Sequence, residues 1–254
     1  MRDERLTKEG EIVEPDHNGG IYTAIDAWGR HPTAAKVKYG PIASWDTSGV
    51  TSMDHLIMNT IESFNEDISC WNVSNVVNMD AMFWSADSFN GDLSRWNVGQ
   101  VRSMRSMFQR ASSFNGDLSH WDVGQVKNME NMFDGATSFG SDLSSWDVAQ
   151  VWNMREMFSS ASSFNGDLSN WDVGQVMCMN HMFWHAQLFA HQLKGAWSTS
   201  TAQKTEMFGN SPGTIAGKMN DANGTPEMEE EDEEDGETFL AAHYSSWWNH
   251  LPTL

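Results

Sequence analysis

The chain has 254 residues, with 15 Lys and Arg against 35 Asp and Glu, and a formal net charge of −20. That charge disfavours nonspecific binding to nucleic acid or to an anionic membrane, and setting aside the nine acids of EMEEEDEEDGE at 227–237 still leaves about −11. Hydrophobic residues make up 39%, concentrated in 17 Met, 13 Trp and 13 Phe, so a core of large rings with adaptable thioethers between them is expected.

In chain order, residues 1–19 read as an N-terminal extension. Its MRDERLTKEGE start has no apolar signal core, and no apolar run long enough to span a bilayer follows. No signal peptide, anchor or direct membrane insertion is therefore expected. Residues 21–36 read as a helical N-terminal cap with Ile21, Ile25 and Trp28 on its apolar side, interrupted near Pro32.

From there a 25-residue repeat governs the sequence: Trp71, Trp96, Trp121, Trp146 and Trp171 recur in register, and Trp45 and Trp197 are each displaced by one residue. In one copy Val123, Val126, Met129, Met132, Phe133 and Ala136 are spaced three or four apart, which predicts one face of a helix. Phe139 and Leu143 then predict a short extended piece leading to Trp146. Asp122, Asp147 and Asp172 each precede a Gln by three residues, Gln125, Gln150 and Gln175, which is capping-box spacing for that helix. The expected fold is an α/β solenoid over 20–208, with one short strand and one helix per 25-residue repeat.

Two polar columns accompany the core pattern. Asn65, Asn90, Asn115 and Asn165 are placed to satisfy turn backbone groups. Asp67, Asp92, Asp117, Asp142 and Asp167 would repel at strand spacing unless backbone donors or a cation offset them. Calcium is the cation those oxygens suit, although no EF-hand loop is present. Cys178, His181 and His185, in CMNHMFWH, share one side of the predicted helix and are the candidate Zn²⁺ ligands; three residues on one helix do not close a tetrahedral site alone. Cys70 and Cys178 are too far apart in register to be expected as a disulfide.

Trp84 and Trp184 occupy equivalent positions where other copies carry Gln109, Asp134 and Ser159, and they are candidate contact anchors for a partner. Residues 209–237 read as a flexible acidic linker, and 238–254 as an aromatic C-terminal segment. There Tyr244, Trp247 and Trp248 recur at helical spacing, which suits docking on the chain's own solenoid or, as a second candidate element, binding of a partner.

The units FNGDLSSWDVAQVWNMREMFSSASSFNGDLSNWDV, and the leading IYTAIDAWGRHPTAAKVKYGPIASWDTSGVTSM, resemble the Mycoplasma-type repeat family of unknown function, DUF285, which includes BspA-like surface proteins. The resemblance implies a leucine-rich-repeat-like solenoid and a surface or extracellular location. It supplies no established catalytic residues and no cofactor. The residues themselves offer no nucleophile–base–orienter set, Walker loop or HExxH. The expected function is non-catalytic protein binding or scaffolding, with a carbohydrate- or calcium-assisted surface adhesion module as the alternative and a glycan as the alternative partner.

Overall fold

The structure is a computed structural model that describes residues 19–58 and 63–217. The N-terminal extension, most of the acidic linker and the aromatic segment with Tyr244, Trp247 and Trp248 lie outside the described residues.

The chain opens with two helices, α1 (Gly19–Arg30) and α2 (Pro32–Tyr39), which divide next to Pro32. Pro32 lacks the N–H that an interior helical position must donate, but it fits the first turn of α2, where that donor has no helical partner. Ile21, Ala24, Ile25 and Trp28 are buried, and Trp28 meets Trp45 edge-on at 5.8 Å. Tyr22 ties α1 to the first repeat: its hydroxyl donates to the Asp54 backbone carbonyl at 2.7 Å and to Asp54 Oδ1 at 3.0 Å.

The repeats do not fold as the α/β solenoid anticipated from their spacing. Among the described residues the only helix after α2, apart from a 3₁₀ turn at Ile42–Ser44, is α3 (Ala196–Thr199); the only sheet is the parallel pair β1 (Gln192–Leu193) and β2 (Thr214–Ile215). There is neither a helix nor a strand in each repeat, so the leucine-rich-repeat-like assignment is corrected.

Each copy is instead a coil of consecutive turns bonded to the next copy. In the coil that begins at Trp71, Met82, Trp84 and Ala86 donate backbone bonds three residues back. The residues between them point along the stack: Met79, Ala81, Phe83 and Ser85 donate to the carbonyls of Ser103, Arg105, Met107 and Gln109 at 2.7–3.0 Å. This alternation repeats through His185, whose N–H reaches the Gly209 carbonyl. Isolated parallel bridges join Ser52, Asn78, Ser103, Asn128, Asn153, Cys178 and Gln203 in one column.

A helix is interrupted twice in each coil by left-handed residues. One set is Ala81, Ser106, Asn131, Glu156 and His181, with φ between 51° and 57°. The other is Ser85, Arg110, Gly135, Ser160 and His185. Left-handed backbone costs a non-glycine residue roughly 1–2 kcal/mol. Here it turns alternate N–H groups toward the neighbouring coil, where each finds a carbonyl.

The anticipated core residues are nevertheless the core. Met129, Met132, Phe133, Ala136, Phe139 and Leu143 are fully buried, as are their equivalents in the neighbouring copies. Three aromatic columns run through the stack. Trp96, Trp121, Trp146 and Trp171 lie 6.4–6.5 Å apart with planes within 3° of parallel. Phe108, Phe133, Phe158 and Phe183 are spaced by 5.6 Å, and Phe89, Phe114, Phe139 and Phe164 by 5.9–6.0 Å. Each repeat Trp also donates its indole N–H to a carbonyl of the preceding coil, as Trp121 does to Leu93 at 3.0 Å and Trp146 to Leu118 at 2.9 Å.

Toward the C-terminal end of the described residues the last coil is closed by residues up to Gly217. Phe208 stacks on Phe183 at 5.5 Å, Ile215 is buried, and β2 adds to β1 with Gln192 opposite Thr214. Gly213 belongs to this closure, because a Cβ there would come within 2.6 Å of the Phe189 ring.

Candidate functional site

Because the core columns are alike in every coil, chemical individuality lies on the outward columns. The two polar columns turn inward on the backbone. Asn65 accepts from the N–H of Asn90, Asn90 from Asn115, and Asn115 from Gly140, each at 2.9 Å. Asn165 accepts from Ala190 at 3.1 Å. The ladder is broken where Gly140 stands in the asparagine column. Beside that break lies an open, polar cleft of about 500 Å³ lined by Asp142, Ser144, Asn165, Asp167 and His191 among others.

The aspartates close turns. Asp67, Asp92, Asp117, Asp142 and Asp167 each accept, through Oδ1, from the N–H of the serine two residues on at 2.9–3.0 Å. The expected capping residues do the same: Asp122, Asp147 and Asp172 accept from Gly124, Ala149 and Gly174. No helix follows them, so the capping-box reading is corrected to a side-chain-closed turn; both begin with the same local bond.

These bonds leave a pH signature. The carboxyls of Asp67, Asp92 and Asp167 are held below the ordinary aspartate range, first by the hydroxyl and then by the backbone N–H of the following serine. At Asp117 the backbone bond from Ser119 leads and its hydroxyl follows. A folded-state value below the unfolded one contributes stability that is present above about pH 4 and lost as the pH falls through the lowered folded values. The midpoint of urea unfolding is therefore expected to fall as the pH is taken from about 5 to about 3. Asp117→Asn, which keeps an oxygen acceptor but cannot titrate, should fall by less; an identical pH profile would remove this role for Asp117.

The candidate metal ligands are dispersed into separate columns. Cys178 is half-buried in the bridge column between Asn153 and Gln203. His181 Nδ1 lies 3.8 Å from Glu206 Oε2, and His185 Nε2 lies 3.2 Å from Asn210 Nδ2. Among the described residues no three His, Cys, Asp or Glu side chains are grouped to hold a metal ion, and both cysteines are free thiols.

Trp84 and Trp184 are half-buried and stand in one column, separated by Gln109, Asp134 and Ser159. Trp184 meets the His185 ring edge-on at 3.8 Å, and a Cβ on Gly209 would come within 2.4 Å of its ring, so that glycine is part of its seat. Between the two tryptophans, Gln109 Nε2 donates to Asp134 Oδ2 at 2.9 Å, and burial pushes the Asp134 carboxyl up.

One further outward column takes shape only when the coils are stacked. Val77, Arg102, Lys127, Trp152 and Met177 are exposed and adjacent in five successive coils; from Arg102 on, each N–H donates to the carbonyl of the member before it at 2.8–2.9 Å. Read along the chain these residues are isolated; aligned at the repeat period they form a file.

The geometry defines a repeat protein with uniform buried columns, recurring polar columns that close its turns, and some outward columns that vary from coil to coil. A family model described as "Mycoplasma protein of unknown function, DUF285" matches residues 30–139 and 115–218, and the chain belongs to this family. No curated protein and no solved structure matches it. Among the described residues no helix is long and apolar enough to cross a membrane.

Proposed function

We propose that this chain is a non-catalytic protein-binding or scaffolding module, presenting varied side chains on columns held in register by the stack. The observation that carries this reading is the contrast between columns: Met129, Phe133, Phe139 and Leu143 recur unchanged and buried in adjacent coils, whereas the exposed file of Val77, Arg102, Lys127, Trp152 and Met177 changes its chemistry from coil to coil. A surface that is rigid and chemically varied suits recognition of a macromolecule. Trp84 and Trp184 are candidate anchors on the described part, and Tyr244, Trp247 and Trp248 are candidates beyond it.

The glycan- or calcium-assisted adhesion reading has less support. It draws on an exposed aromatic column, but the repeat tryptophans from Trp71 to Trp197 are no more than 3% exposed. The aspartate columns are already engaged by backbone N–H groups.

The test is partner capture from the source proteome with the full chain and with the chain ending at Thr225, followed by direct binding measurements on any enriched protein. A partner retained by the shorter chain would place recognition on the coils; one lost with the segment would place it beyond Thr225. No saturable protein partner for either chain would contradict the reading.

A further inference from the structure

We propose that the file Val77, Arg102, Lys127, Trp152 and Met177 is the docking surface for an acidic segment of another protein that also carries apolar side chains; this deepens, and rests on, the protein-binding function above. Among the described residues five large hydrophobics are well exposed, and three of them fall in this one file: Val77 at 39%, Trp152 at 42% and Met177 at 61%. Strand-like spacing between bonded coils makes the file about 20 Å long.

Charge selects the occupant. Arg102 and Lys127 stand between the apolar members, exposed and, among the described residues, without an ion pair. Arg105 and Arg155 lie three residues along their own coils and pair with Glu130 at 3.3 Å and Glu156 at 2.9 Å. Four cations thus gather on neighbouring coils of a chain whose net charge is −20; of the acids beside them, Glu130 and Glu156 pair with the two arginines, and Asp80 accepts from the Ser103 hydroxyl and the Arg105 backbone N–H. Carboxylates of a partner would find Arg102 and Lys127 available, with the arginine fork suited to bidentate contact. Trp152 and Met177 offer a ring and a deformable thioether for apolar side chains. The exposed Gln100, Gln125, Gln150 and Gln175 border the file and supply neutral donors and acceptors for a partner's backbone. A nucleic acid would meet the same two cations but also the repulsion of the whole chain.

The experiment uses the full chain and two labelled probes of equal length: a short peptide of glutamates interspersed with leucines, and its lysine-for-glutamate counterpart. The acidic probe should bind saturably and more weakly at higher salt. Arg102→Glu with Lys127→Glu should weaken it about tenfold or more, and Trp152→Ala severalfold, with thermal unfolding unchanged. Absence of saturable binding by the acidic probe, equal affinity in the double variant, or equal binding of the basic probe would each overturn the proposal. Self-association of the wild type that the double variant loses would assign the file to a second copy and overturn a separate partner. A partner captured by the full chain and retained by the double variant would sink the file while leaving the protein-binding function standing; absence of any captured partner would remove that function itself.

Discussion

Replacing Trp121 with alanine is expected to destabilise the fold by about 3–5 kcal/mol, the range for truncating a buried large aromatic. Trp121 is 3% exposed and lies between Trp96 and Trp146, 6.5 Å from each. Its indole N–H is a second donor to the Leu93 carbonyl, which also accepts from the Trp96 backbone N–H, so the substitution opens a cavity and removes one of that carbonyl's two bonds. Phe108 packs against the same ring at 6.4 Å and would lose part of its surroundings. Trp121→Phe retains a ring but not the donor, and should recover part of the loss. Urea unfolding followed by circular dichroism measures both; a cost below about 1 kcal/mol for Trp121→Ala would show that the tryptophan column does not hold the coils together.

The second large effect concerns register. Excising Asp122–Trp146 removes one complete 25-residue period and joins Trp121 to Asp147, recreating the Trp–Asp junction found at Trp121–Asp122. Leu118 then takes the place of Leu143 as acceptor for Trp171, and every column closes over the gap. The shortened protein should fold cooperatively, with lower stability and a smaller denaturant slope because less surface is exposed on unfolding. Removing one residue fewer, by excising Val123–Trp146, leaves an extra residue in the joined coil. The bonds between coils and the aromatic columns cannot then both align, and loss of cooperative folding is expected. Equal stability of the two deletions would contradict a stack in fixed register.

The sequence and the structure agree on side chains and part on backbone. Met129, Met132, Phe133 and Ala136 were recognisable as core because spacing of three and four places residues on one side. Consecutive turns satisfy that spacing as well as a helix does. What separates the two is the pair of left-handed residues in each coil, and the first of these positions carries Ala81, Ser106, Asn131, Glu156 and His181. Only Asn131 and His181 among them are residue types enriched in left-handed backbone; at the second position only Gly135 and His185 are. Inter-coil hydrogen bonds fix the conformation, and such bonds join residues about one repeat apart, where local propensity says nothing.

The polar columns were legible for the same reason as the core. Asn90 and Asn115 do accept from backbone N–H groups, and Asp117 accepts from the Ser119 backbone N–H. The capping residues were misread because an aspartate closing a turn and one starting a helix make nearly the same first bond. The file from Val77 to Met177 was hidden for a different reason: its members differ in chemistry, so no motif repeats, and only the stacking of coils makes them neighbours.

The most direct test of the architecture is the run of ¹³Cα secondary chemical shifts across Met129–Ala136, with the equivalent runs in adjacent coils. The structure predicts that helix-type shifts are broken at Asn131 and again at Gly135, and at Glu156 and Ser160 in the next coil. An uninterrupted helical run through all eight residues in successive copies would contradict the stack of turns and restore a helix to each repeat.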